Sequence, residues 1–98
     1  MIAENRTVSR KTRRDGKLEI SPSAASVIAA FGDEFQLETD GMAARGRLIG
    51  MPCTCSKATS SGSHVHYFVE SESFKLLAPD AVVRVEIEKG TQTVRVGT

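Results

Sequence analysis

The stretch that decides the fold is AVVRVEIEKGTQTVRV, residues 81–96. From Val83 to Glu88 it alternates apolar and charged side chains, which is the period of two expected of a strand that is buried on one face. Lys89-Gly90 then predicts a turn into a second strand over 91–96. The pattern indicates an antiparallel hairpin, and the same alternation occurs in earlier parts of the chain.

Further strands are predicted over 16–20, 34–39 and 64–70, where apolar residues again occupy every second position. Asp40-Gly41 is a strong hairpin signal. It leads to a return strand over about 43–55, in which Gly46 and Gly50 indicate a bend or a bulge. We therefore expect about six strands, most of them joined as hairpins.

One helix is predicted over about 22–31. Ser21 is a favourable N-cap residue, Pro22 suits the first helical position, and Gly32 can adopt the left-handed conformation that ends a helix. A short helical turn is predicted over about 73–77, with a serine as its cap.

These elements predict a mainly β (α+β) fold, a small antiparallel β-barrel or curled sheet with the helix over an open end. The 98 residues, 40% hydrophobic and 26% charged, suffice for a single small domain and exclude both a two-domain enzyme and a wholly disordered chain. No internal repeat is evident. The expected organisation is a basic arm over 1–15 followed by one β-rich domain over 16–98.

The net charge of +1 conceals an uneven distribution. Residues 1–14 contain five basic side chains and one acidic one, and the remainder of the chain has a net charge of −3. The arm has almost no large apolar residue after Ile2, so it is predicted to be mobile. Its basic residues are Arg6, Arg10, Lys11, Arg13 and Arg14.

A mobile basic arm is suited to binding nucleic acid or another polyanion, because each phosphate that it neutralises releases counterions. Arg45 and Arg47 share one face of their predicted strand and would extend the basic surface. The sequence therefore predicts a small binding module that is not an enzyme. The alternative is a solvated tail that binds nothing.

Two pairs of metal-ligating residues flank a polar loop: Cys53 and Cys55 before it, His64 and His66 after it. If the flanking segments form a hairpin with Cys55 opposite His64 and Cys53 opposite His66, all four side chains lie on one face. Two thiolates and two imidazoles could then bind a zinc ion, which makes a zinc-stabilised structural or protein-interaction domain the second hypothesis.

The spacing of these pairs is unlike that of common structural zinc sites, which place at least two residues between paired ligands. The alternative is that the cysteines are small buried residues and the histidines are solvated. No orienting third group is evident for a cysteine nucleophile, and no glycine loop of the phosphate-binding type is present.

The pair Arg10 and Arg14 slightly resembles the Arg-x-x-x-Arg motif of the PilZ family of cyclic-dinucleotide receptors. The resemblance implies that the two guanidinium groups clamp phosphates or stack on guanine. The family's second motif, Asp or Asn followed by Ser and Gly at the second and fifth positions after it, is absent. The nearest run has Lys57, Thr59 and Gly62.

No stretch of the sequence has the roughly 20 consecutive apolar residues that a membrane-spanning helix needs. Residues 1–15 also lack the apolar region of a secretory signal. The expectation from these features is a cytoplasmic protein with no membrane partner and with reduced cysteines.

Overall fold

The computed structural model describes residues 2–52 and 65–97. The strands are β1 (Ile2–Thr7), β2 (Lys17–Ile20), β3 (Glu34–Thr39), β4 (Met42–Pro52), β5 (Val65–Glu70), β6 (Val82–Glu88) and β7 (Thr93–Gly97). The helices are α1 (Arg10–Asp15), α2 (Pro22–Ala29) and a 3₁₀ helix (Glu72–Leu76). Within these residues, no helix is long and apolar enough to cross a membrane.

The strands form one sheet with the order β1-β6-β7-β3-β4-β5-β2, curled into a nearly closed barrel. Neighbouring strands are antiparallel, with one exception: β3 and β7 run parallel, with Leu37 opposite Val94. The predicted mainly β, barrel-like fold is confirmed. The described part of the chain has seven strands, because β1 was not among the strands predicted from alternating apolar residues.

The core lies inside the barrel and under α2. Alternate residues of the strands point inwards, and Ala24, Ala25 and Ile28 of α2 cover one end. Ser21 caps this helix by accepting a hydrogen bond from the backbone N–H of Ala24, as its sequence position predicts. The helix ends at Ala29, and Gly32 follows with a φ of 101°.

The glycines of β4 do not produce the expected bulge. The pairing with β3 runs without interruption from Met42 to Arg47, and the pairing with β5 runs from Arg47 to Pro52. Gly46 lies opposite Phe35, whose ring covers it so closely that an added Cβ would lie 2.6 Å from Phe35 Cε2. The glycine therefore makes room for an aromatic ring and leaves the strand pairing intact.

The N-terminal residues predicted to be a mobile arm form β1 and α1 in the structure. β1 pairs with β6 along its whole length, from Ile2 opposite Ile87 to Thr7 opposite Val82. Val8, which follows it, is completely buried in the core. The prediction relied on the shortage of apolar side chains, whereas the backbone hydrogen bonds of a strand need none.

Candidate functional site

A cleft of about 520 Å³ opens where the barrel is not closed. It lies between β1 and β2, the strands at the two ends of the sheet order, and α1 borders it. The charged and aromatic side chains that line it come from four elements: Arg6 of β1, Lys11 of α1, Lys17 and Glu19 of β2, and His66 and Phe68 of β5. The cleft thus joins segments that are far apart in the sequence.

Side chains of β1 join the two sides of this opening. Glu4 accepts hydrogen bonds from the backbone N–H and the hydroxyl group of Ser21. Arg6 donates from Nε to the backbone carbonyl of Glu19 over 2.9 Å. These contacts hold the guanidinium group of Arg6 at the edge of the cleft.

The floor of the cleft contains Phe68, which lies on the outer face of the sheet. Its neighbour Val69 points into the core, opposite Leu18. Phe68 is nevertheless only 8% exposed. The ammonium group of Lys11 lies 5.0 Å from the centroid of its ring, in a cation–π contact. Lys11 is thereby held over the floor of the cleft.

His66 lies in the cleft with its Nδ1 atom 2.8 Å from a carboxylate oxygen of Glu19. The predicted strand register, with Cys53 opposite His66, is wrong, because the structure places Met51 opposite His66. The other three predicted ligands, Cys53, Cys55 and His64, lie outside the described residues. Within the described residues, no group of three or more His, Cys, Asp or Glu side chains could hold a metal ion.

Arg45 and Arg47 lie among carboxylates. Arg45 forms an ion pair with Glu34, with 2.8 Å between Nη1 and Oε2, and Arg47 lies 3.9 Å from Glu70. Asp15 lines the same depression in the surface. These two arginines do not line the cleft, so they do not extend a basic surface there as predicted from their shared strand face.

Most basic side chains in residues 2–52 and 65–97 have a carboxylate within 4 Å. Those with no such partner in this part of the chain are Arg10, Lys11, Arg13, Lys17 and Lys89. All of them except Lys89 belong to α1 or to the first residue of β2. We call Arg10, Lys11, Arg13 and Lys17 the basic face.

Arg14 also belongs to α1, but Asp15 binds it, with 3.1 Å between Arg14 Nε and Asp15 Oδ1. The hydrogen bond and the charge of Asp15 raise the pKa of Arg14. Arg10 and Arg14 lie four residues apart on α1, so they are neighbours on the helix surface. The predicted pair of arginines is therefore present, with one member bound to an acidic side chain.

Three of the four residues of the basic face lie on α1, whose orientation is fixed at both ends. Ser9 and Thr12 form a capping box, and Thr12 is buried. Gly16 ends the helix with a φ of 69°, and its carbonyl accepts a hydrogen bond of 2.8 Å from Ser71. Unpaired cations on a fixed helix beside a cationic cleft form a surface suited to anions.

Comparison of the chain with protein-family models, with curated proteins and with solved structures finds no match.

Proposed function

We propose that the protein binds nucleic acid through the basic face and the adjoining cleft. The observation that carries this proposal is the distribution of ion pairs. Elsewhere in residues 2–52 and 65–97, all basic side chains but Lys89 have a carboxylate partner, whereas those of the basic face have none. Cations without a carboxylate partner remain available to phosphates.

The affinity would come mainly from the release of counterions as lysine and arginine neutralise phosphates. Such contacts position a nucleic acid and carry no sequence information. Because α1 is already folded and capped, binding would not require the ordering of a mobile arm. We therefore expect binding that depends on salt and not on base sequence.

The test is fluorescence anisotropy with labelled single-stranded and double-stranded oligonucleotides over a range of salt concentrations. The double variant Arg10→Gln/Arg13→Gln removes two charges from the basic face. The matched control, Arg45→Gln/Arg84→Gln, removes two charges from ion pairs with Glu34 and Glu86. Both variants have the same net charge.

The expected result is that the first variant loses affinity and that its slope of log K against log salt falls by about 1 for each phosphate contact removed. The control should retain the wild-type slope. Absence of binding to every oligonucleotide, or an equal loss in both variants, would contradict the proposal.

A further inference from the structure

Three cationic side chains line the cleft, which suits a phosphate group with three terminal oxygens better than a backbone phosphodiester with two. Arg6, Lys11 and Lys17 all line it. Its carboxylate, Glu19, is already in contact with His66 at 2.8 Å. Glu4 lies outside the lining, but its carboxylate is 3.8 Å from Arg6 Nε, so with His66 neutral the side chains around the cleft have a net charge of about +1.

Two cations of the cleft, Arg6 and Lys11, differ from those on the outside of α1 because contacts of their side chains hold them in place. Arg6 uses Nε for the backbone carbonyl of Glu19, so its remaining donors are those of the two terminal nitrogens. Lys11 is held over Phe68. Lys17 lies in a strand that pairs with β5, with Glu70 opposite. Positioned donors of this kind favour one compact anion over a diffuse charge.

The cleft is large enough for a small molecule such as a nucleotide. Its volume of about 520 Å³ falls in the range of small-molecule sites, roughly 300 to 1,000 Å³. A phosphate monoester has a charge of about −1.5 to −2 at neutral pH and three strong acceptor oxygens. Its three acceptors match the three cations better than the two terminal oxygens of an internal phosphodiester do.

We infer that the cleft binds a phosphate monoester, the group present at the phosphorylated end of a nucleic-acid strand and in a free nucleotide. The inference deepens the proposed function and rests on it. The basic face would hold the strand without regard to sequence, and the cleft would recognise a terminal phosphate beside it.

The experiment compares two oligonucleotides of identical sequence, labelled at the 3′ end, one with a 5′-phosphate and the other with a 5′-hydroxyl group. We expect the phosphorylated strand to bind about tenfold more tightly, because the terminal phosphate accepts charge-assisted hydrogen bonds that a hydroxyl group cannot replace. Lys17→Gln, in the cleft, should abolish this preference. Arg13→Gln, on the basic face outside the cleft lining, should weaken both strands equally and keep their ratio.

Equal affinity for the two strands, or a preference that Lys17→Gln leaves intact, would overturn the inference while the proposed nucleic-acid binding stood. Binding of neither strand, with adenosine monophosphate bound by the wild type and not by Lys17→Gln, would contradict the proposed function and leave the monoester site standing. Competition by adenosine monophosphate against the phosphorylated strand distinguishes the two sources. Displacement shows that free nucleotides enter the cleft, and failure to displace restricts the site to strand ends.

Discussion

Glu4 accepts a hydrogen bond of 3.0 Å from the backbone N–H of Ser21, across the opening between the two end strands of the sheet. Two residues further along β1, Arg6 binds the carbonyl of Glu19, two residues back in the chain from Ser21. A move of two residues forward along β1 therefore matches a move of two residues back towards β2, as it does between paired antiparallel strands. Side chains of β1 thus make the connection that backbone hydrogen bonds make between the other strands.

Ser21→Ala should destabilise the fold by about 2 to 3 kcal/mol. The change removes the cap of α2, which typically contributes about 1 kcal/mol, and leaves the half-buried carboxylate of Glu4 without its hydroxyl donor. Urea unfolding followed by circular dichroism measures the loss. Ser23→Ala, in the same helix but exposed, should change stability by less than about 0.5 kcal/mol. A loss of only about 1 kcal/mol in Ser21→Ala, which the cap alone explains, would show that the connection to Glu4 contributes nothing.

Val8→Ala should cost about 2 kcal/mol, since it removes two methyl groups from a completely buried position. The matched control is Val82→Ala, because Val82 is 60% exposed and its replacement should be nearly neutral. Thermal unfolding of both variants checks the difference. If residues 1–15 were the mobile arm that their composition predicts, the two substitutions would have equally small effects.

Gly46→Ala should destabilise the protein by about 1 to 3 kcal/mol, because the new Cβ would lie 2.6 Å from the ring of Phe35. Gly90→Ala is the control, since an added Cβ there has no atom within 4 Å and Gly90 is not among the glycines with positive φ. Its stability should stay the same or rise slightly. Equal effects in a denaturant titration would show that the ring moves aside without cost.

The sequence predicted the strands that alternate, because in each of them the buried face is apolar. β3 has the predicted bounds, and Ser21 caps α2 as predicted, whereas the helix ends at Ala29, before the predicted end at Gly32. β1 does not follow this rule, because its inner face contains Glu4 and Arg6. Their partners lie 17 and 13 residues away and belong to a separate element, so no local pattern reveals them.

The candidate site was predictable only in part, for the same reason. A count of charges identified the basic residues of α1, but it could not show which of them have acidic neighbours. Arg45 and Arg47 looked equivalent to the others until cross-strand pairing placed Glu34 and Glu70 beside them. Lys17 and Glu19 were missed because each occupies the polar position of an ordinary alternating strand. Their role depends on the curvature that brings β1 close to β2.

A second feature that no count of charges reveals is an order of elements common to the two halves of the domain. A strand, a serine cap, a helix and a hairpin occur once as β2, α2, β3 and β4, and again as β5, the 3₁₀ helix, β6 and β7. Ser21 and Ser71 are the corresponding caps. The strands that begin the two units pair with each other, with Leu18 opposite Val69. The sequence shows no such repeat because the second helix is a single short 3₁₀ segment.

Asp15 should have a pKa below that of an ordinary aspartate, mainly because its carboxylate accepts a hydrogen bond from Arg14. A carboxyl group with a lowered pKa in the folded state contributes to stability above its unfolded pKa. That contribution is lost as the pH falls through the folded pKa. Nuclear magnetic resonance titration of the side-chain carboxyl carbon measures the pKa directly.

Arg14→Gln should return the pKa of Asp15 towards its ordinary value, while Arg13→Gln, which removes a charge from the same helix, should leave the lowered pKa in place.

The ion pair between Arg14 and Asp15 should also affect binding. Asp15→Asn removes the carboxylate partner of Arg14 and so adds an unpaired cation to α1 beside the basic face. The affinity for an oligonucleotide should therefore rise, and its salt dependence should steepen by about one phosphate contact. Glu34→Gln releases Arg45 in the same way but away from the cleft, and it provides the control. An equal gain in the two variants would mean that net charge alone governs binding and that the position of α1 has no part in it.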